Sequence, residues 1–152
     1  MKKLLVVLCA AFVLAGCGGS GDSESTVKKT CKAEQEGIAI TMDLEGKDDV
    51  LSKVSLNINA PYTAMAPMGL TKDMVDKADA DVKKQASDTM KNVMLQTMHL
   101  NEDDGYTITS DFDDEGWKMS VSAEASIFEQ SFNATSMDEM VKELSDGGFT
   151  CE

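Results

Sequence analysis

The sequence predicts an α+β fold: an antiparallel five-stranded sheet with two helices on one face, in the order β-β-β-α-β-β-α. Three observations carry that reading. Apolar and polar residues alternate in several short runs, the pattern of strands with one buried face. Brief Gly- and Asp-rich breaks separate those runs, so successive strands fold back on each other. Two other stretches place apolar residues at helical spacing. A sheet and a helix layer each have one apolar face to hide, and packing them together hides both.

Residues 30–35 read as a first strand, with Cys31 and Ala33 on one side. Glu36-Gly37 is a tight turn. In the next run Ile38, Ile40, Met42 and Leu44 share one face, and Ala39, Thr41 and Asp43 share the other. Gly46-Lys47-Asp48-Asp49 turns again. A third strand points Val50, Val54, Leu56 and Ile58 inward, with Lys53, Ser55, Asn57 and Asn59 outward. Residues 60–69 hold both prolines, Pro61 and Pro67, and read as a crossover loop. Thr71 suits an N-cap. It opens an amphipathic helix of about 20 residues whose buried face is Met74, Val75, Ala78, Val82, Ala86 and Val93. Met90, Met94 and Met98 recur at steps of four. That spacing drifts by about 40° per step and carries them off the core face. The sequence leaves open whether this helix bends or ends near Asn92.

Asn101-Glu102-Asp103-Asp104-Gly105 is a turn. Tyr106, Ile108 and Phe112 alternate with Thr107, Thr109 and Asp111 as a fourth strand. Asp113-Asp114-Glu115-Gly116 turns into a fifth, with Trp117, Met119, Val121, Ala123 and Ala125 inward and Lys118, Ser120, Ser122 and Glu124 outward. Ile127, Phe128 and Phe132 come next, without a clear period. Ser136 and Glu139 have capping-box spacing. The short helix they open buries Met137, Met140, Val141 and Leu144, and Gly147 stops it. Phe149 and Cys151 then tie the tail to the start of the sheet.

Ahead of these elements lies a leader. Lys2 and Lys3 precede a run of apolar or small residues over 4–14. Its length falls within the roughly 7–15 residues of a signal-peptide core and short of the ~20 that span a bilayer. Leu14-Ala15-Gly16-Cys17 resembles a bacterial lipobox, where a diacylglycerol is attached to the cysteine and the leader is removed. The chain therefore divides into a lipoprotein signal peptide (1–16), lipidated Cys17 with a small polar tether (17–27), and one α+β domain (28–152). The tether cannot bury enough apolar area to offset the entropy of ordering, whereas the domain is long enough for a single core. Two or more acyl chains anchor stably. The expected location is lipid-anchored, on the extracytoplasmic side of the cell membrane or of an outer membrane. Gly18 stands where an inner-membrane retention signal would have Asp.

The 14 basic residues are all lysines, set against 27 acids, for a net charge of −13. Removing the leader takes Lys2 and Lys3 with it and leaves −15. Nucleic acid and anionic head groups need cationic side chains, so neither is an expected partner. Without arginine there is no bidentate clamp for phosphate or carboxylate. Of four cysteines, Cys9 lies in the leader and Cys17 is the lipid site. Cys31 and Cys151 remain, an even pair in an exported domain, and are expected to form a disulfide.

The layout resembles that of the YehR-like bacterial lipoproteins. The resemblance rests on Cys17, on Gly37-Ile38 opening a strand, on Pro61-Tyr62 leading into Gly69-Leu70-Thr71-Lys72-Asp73, and on the hairpin at 113–116 ahead of a final helix. It implies a lipid-anchored α+β domain at the cell envelope and carries over no catalytic residue.

Candidate chemistry is sparse. Asp111, Asp113 and Glu115 occupy positions 1, 3 and 5 of a calcium-loop pattern, with Gly116 at position 6. An EF-hand needs a bidentate Glu at position 12; Ser122 stands there, so an acidic hairpin turn is the simpler reading. Met90, Met94, Met98 and His99 offer soft ligands to Cu(I), but methionine is also a flexible core filler. His99 is the only histidine, and no nucleophile motif accompanies it. No Gly-rich phosphate loop follows a strand. Asn133-Ala134-Thr135 matches a glycosylation sequon, which a bacterial leader makes uninformative. The expectation is a non-enzymatic envelope protein without a cofactor. It presents a binding surface to an envelope protein or small ligand on the sheet's wet face. A ligand- or metal-binding lipoprotein, for copper or calcium, is the alternative.

Overall fold

The structure, a computed structural model, describes residues 26–100, 105–132, 134 and 136–152. Its strands are β1 (Val27–Gln35), β2 (Ile38–Lys47), β3 (Val50–Pro61), β4 (Thr107–Phe112), β5 (Gly116–Glu124) and β6 (Thr150–Cys151). Its helices are α1 (Tyr62–Met65), α2 (Lys72–Lys77), α3 (Ala80–Thr97), α4 (Ala125–Phe132) and α5 (Met137–Asp146), with a 3₁₀ turn at Ala66–Met68. The strands form one antiparallel sheet in the order β4-β5-β3-β2-β1-β6. The α+β class and the antiparallel sheet match expectation. The count does not: there are six strands and five helices among the described residues, where five and two were expected.

Alternation decides which face is buried. Met42 and Leu44, Val54, Leu56 and Ile58, and Trp117, Met119 and Val121 all point to one side. Leu95, Phe128, Met137, Met140 and Leu144 cover them from the helices. Fully burying side chains of this size contributes about 1.5–3 kcal/mol each. One inward position differs from expectation. A register shift between Glu45 and Gly46 leaves Val50 65% exposed and puts Leu51 in the core. A β-bulge places two residues opposite one and so turns the residues beyond it to the other face.

The central helix also differs. Ala78 adopts an extended ψ of 145°, and Asp79 caps a new helix by accepting the Val82 N–H at 2.9 Å. Two helices thus replace one, and the break resets the phase. Met74, Val82 and Val93, expected inside, are exposed. Met90, Met94 and Met98, expected to leave the core face, pack against the core instead, alongside buried Ser87 and Leu95. The helix runs on to Thr97 rather than ending near Asn92. The caps expected at Thr71 and Ser136 are present, accepting from Met74 N–H at 3.4 Å and Glu139 N–H at 3.2 Å. At the end of α5 the left-handed residue is Gly148 (φ +94°), one place beyond Gly147. Phe149 N–H reaches the Leu144 carbonyl at 2.9 Å across it, which closes the Schellman motif.

The two ends of the domain are joined. Cys31 and Cys151 form a disulfide between directly paired residues of β1 and β6. Thr30 and Glu152 exchange both main-chain hydrogen bonds beside it, at 3.2 and 3.0 Å. The cysteines therefore occupy the neighbouring non-hydrogen-bonded pair, where side chains come closest.

Candidate interaction face

The helices pack against one side of the sheet, so the other side is the feature with no element over it among the described residues. It carries Thr41 and Asp43 from β2, Ser55, Asn57 and Asn59 from β3, Lys118, Ser120 and Ser122 from β5, and Thr109 and Asp111 from β4. None of these residues is buried. Short polar side chains at directly opposed or diagonal positions reach each other, and they do so in a row. Thr30 donates to Asp43 Oδ1 at 2.8 Å, Asn57 Nδ2 donates to Asp43 Oδ2 at 3.3 Å, and Ser120 donates to Asn57 Oδ1 at 2.8 Å. Ser55 and Ser122 hydroxyls lie 2.9 Å apart beside that row. The row crosses β1, β2, β3 and β5 and fixes the rotamers of its members, so the surface offered to a partner is pre-ordered.

Toward the β4–β5 end the face deepens into an open concavity of about 900 Å³. Thr41, Asn57, Asn59 and Ser120 line it, and Asp88 and Lys91 of α3 stand at its far rim. The Asn59 Oδ1 atom itself is buried and has no hydrogen-bond partner. Leaving such an acceptor unpaired costs about 1–3 kcal/mol. It is the one described polar side-chain atom in that state. Asn59, Asp88 and Lys91 carry no sequence motif. Only the register of β3 against β5 and the phase of α3 bring them together.

The acidic hairpin borders the same concavity. Asp111 Oδ1 accepts the Phe112 N–H at 2.8 Å. Asp113 Oδ1 accepts Glu115 N–H at 2.8 Å and Gly116 N–H at 3.1 Å, and Asp113 Oδ2 pairs with Lys118 at 2.6 Å. Glu115 also pairs with Lys118, at 2.6 Å. These carboxylates are spent on a turn and a lysine, which is what an acidic hairpin needs and a calcium loop does not. Hydrogen bonding from Lys118, then from the turn's own N–H groups, holds the Asp113 carboxyl below its usual range. Tyr62 ties α1 to this hairpin: its hydroxyl donates to the Asp113 carbonyl at 2.9 Å, and its ring stacks on Phe112 at 6.5 Å. Burial pushes the Tyr62 phenol up. Gly116 is required by the same packing, since a Cβ there would overlap the Ala60 carbonyl.

The soft-ligand candidates lie along α3 and just past its C-terminus. Met90, Met94 and Met98 direct their bulk at the core. His99 is exposed and sits at φ +55°, the left-handed residue that ends α3, with Leu100 N–H bonding back to the Leu95 carbonyl at 3.0 Å. Its position is explained by helix termination. Among the described residues no group of three or more His, Cys, Asp or Glu is placed to hold a metal ion. Cys17, the leader and residues 101–104 lie outside the described residues, as do Asn133 and Thr135 of the sequon.

No family model matches this chain, and no curated protein matches it. Among solved structures, a protein from Streptococcus pneumoniae TIGR4, determined by NMR, is similar over 100% of this chain and 98% of that one, at 12% identity and a TM-score of 0.48. A likeness at that level carries neither fold nor function across.

Proposed function

We propose that this chain is a lipid-anchored envelope protein of the kind the YehR-like resemblance implies, held at the membrane through Cys17. In this reading it is not an enzyme, and it acts by presenting the uncovered sheet face to a partner at the cell surface. The observation that carries the reading is the one-sidedness of the domain. Its helices take one face of the sheet, and the opposite face keeps a hydrogen-bonded polar row from Thr30 to Ser120. Such a row suits a polar contact surface, because its one charge, Asp43, is already held by Thr30 and Asn57 and its neutral members can pair with a partner's main chain. The lipobox at 14–17 supplies the address, and the small polar residues after it supply reach.

Site-specific photo-crosslinking in cells tests this reading. A crosslinker at Asn57 or Ser120 should trap a discrete partner, while one at Gln85 on the outer face of α3 should not. Equal trapping at all three positions would remove the face from consideration. A small polar ligand is the second reading, favoured by the concavity that Asn59 lines with Thr41, Asn57 and Ser120. It requires Asn59→Leu to abolish binding of that ligand while leaving the crosslinks intact.

A further inference from the structure

We infer that the free edge of β4 is a docking site for an extended, acidic peptide segment of a partner protein, added as a further strand of the sheet. This site is the rim of the sheet and not its face, and it depends neither on the lipid nor on the polar row.

The register identifies which main-chain groups are available. Asp113 N–H bonds to the Gly116 carbonyl at 2.9 Å across the hairpin. In an antiparallel pair the bonded and non-bonded positions alternate, so Asp111 with Lys118, Thr109 with Ser120 and Thr107 with Ser122 are the bonded pairs. The same alternation carried through β5, β3, β2 and β1 arrives at the bonded pair Thr30–Glu152 that the other edge displays. The N–H and C=O groups of Ile108 and Ser110 therefore point away from the sheet, and among the described residues no strand pairs with them.

The two edges are treated differently. At the far side β1 is capped by β6, a strand of 2 residues locked by the disulfide, and is studded with Lys28, Lys29, Lys32 and Glu34. Short capping strands and charges are how sheets refuse further strands. The β4 edge, Thr107-Ile108-Thr109-Ser110-Asp111-Phe112, has one charge, no proline and no register shift. It also lies along a groove. The concavity of about 900 Å³ wraps this strand from Thr109 to Asp88 and Lys91 of α3, and a second hollow of about 510 Å³ continues it past Lys83 and Lys84.

Charge selects the occupant. Across the groove Asp111 and Asp113 stand with Lys118, and the α3 wall carries Lys83, Lys84 and Lys91 against Asp88 alone. Lys84 and Lys91 already share that one carboxylate. A wall with a lysine excess, in a chain with 27 acids to 14 lysines, fits acidic side chains on the incoming strand. It disfavours a second copy, which would bring an identical lysine wall to the same edge. Strand addition draws affinity from main-chain hydrogen bonds and specificity from side chains on alternate positions.

The test uses the domain with its disulfide intact and the capped peptide Thr-Glu-Val-Glu-Thr-Glu-Val as probe. Amide NMR should show the Ile108 and Ser110 signals moving and their hydrogen exchange slowing on titration, with Asp43 and Ser55 of the sheet face unmoved. The same peptide N-methylated on alternate residues should have no effect. Replacing its glutamates by lysine, or combining Lys83→Glu, Lys84→Glu and Lys91→Glu in the protein, should weaken binding by about tenfold or more. Unmoved Ile108 and Ser110 signals at millimolar peptide would overturn the proposal, as would an N-methylated peptide that binds equally well. Protection of Ile108 and Ser110 that rises with protein concentration alone would assign the edge to a second copy and also overturn it. Movement confined to Asp43 and Ser55 would leave the face reading standing and sink this one.

Discussion

The indole nitrogen of Trp117 donates to the hydroxyl of Ser87 at 3.1 Å, joining β5 to α3 inside the core. Ser110 of β4 is a second acceptor at 2.9 Å, and the two hydroxyls lie 2.6 Å apart. Ser87 is 3% exposed and is the one buried polar residue among those described. A buried tryptophan N–H needs a partner, and here two elements each supply one.

The pairing makes a non-additive prediction. Ser87→Ala or Ser110→Ala alone should cost about 1 kcal/mol in urea unfolding, because the other hydroxyl still serves the indole. The double variant orphans a buried donor and should cost about 1–3 kcal/mol beyond the sum. Simple additivity would show that Trp117 does not depend on these hydroxyls.

The disulfide should matter more than any single contact. It closes a loop of 120 residues, for which chain entropy gives roughly 4–5 kcal/mol. Cys31→Ala with Cys151→Ala should therefore lose most of that and loosen β6, whose 2 residues are otherwise held by the main-chain bonds between Thr30 and Glu152. Unfolding and exchange at Thr150 check both. An unchanged midpoint would mean that the pair does not form in solution.

The phase of α3 is testable by truncation. Met94 packs against the core while Val93, its neighbour, is 56% exposed. Met94→Ala should cost about 1–2 kcal/mol, and Val93→Ala should stay within about 0.5 kcal/mol of the parent. The reverse order would restore the single long helix.

The Asp113–Lys118 pair sets a pH expectation. Lys118 holds the Asp113 carboxyl below its ordinary 3.8. Its contribution is present above that value and lost as pH falls through the lower folded value. Lys118 is raised above its ordinary 10.5, chiefly by its hydrogen bond to Asp113. That contribution is present below 10.5 and lost as pH rises through the higher folded value. A carboxyl-carbon titration should place the Asp113 midpoint below 3.8 and return it toward that value in Lys118→Met. Both groups are exposed, so the effect on global stability should be small.

Much of this architecture could be read from residues alone, and the exceptions have physical causes. Strand faces were legible because side chains alternate strictly along a strand: Met42, Leu56, Val121 and their neighbours fell inside as expected. Val50 failed because a bulge is set by pairing and leaves no local mark. The helical stripe failed at Ala78-Asp79, where Asp79 serves as a cap although the apolar spacing reads through it. Helix α4 was missed because Ala125 continues the inward alternation of β5 and Ile127, Phe128 and Phe132 follow it without a clear period. Strand β6 is too short for a pattern and was visible only through Cys151. The face itself was foreseeable from Thr41, Asn57 and Ser120. Its concavity was not, since Asn59, Asp88 and Lys91 meet only in three dimensions.

The tether is best tested by the intact mass of the native product. The full chain would be made in a bacterial host, extracted from the membrane fraction and compared with Cys17→Ser. The expected product begins at Cys17 and carries a diacylglyceryl adduct, and Cys17→Ser is neither acylated nor cut at that site. An unacylated wild-type product that begins at Met1 would contradict the proposed anchor and the location built on it.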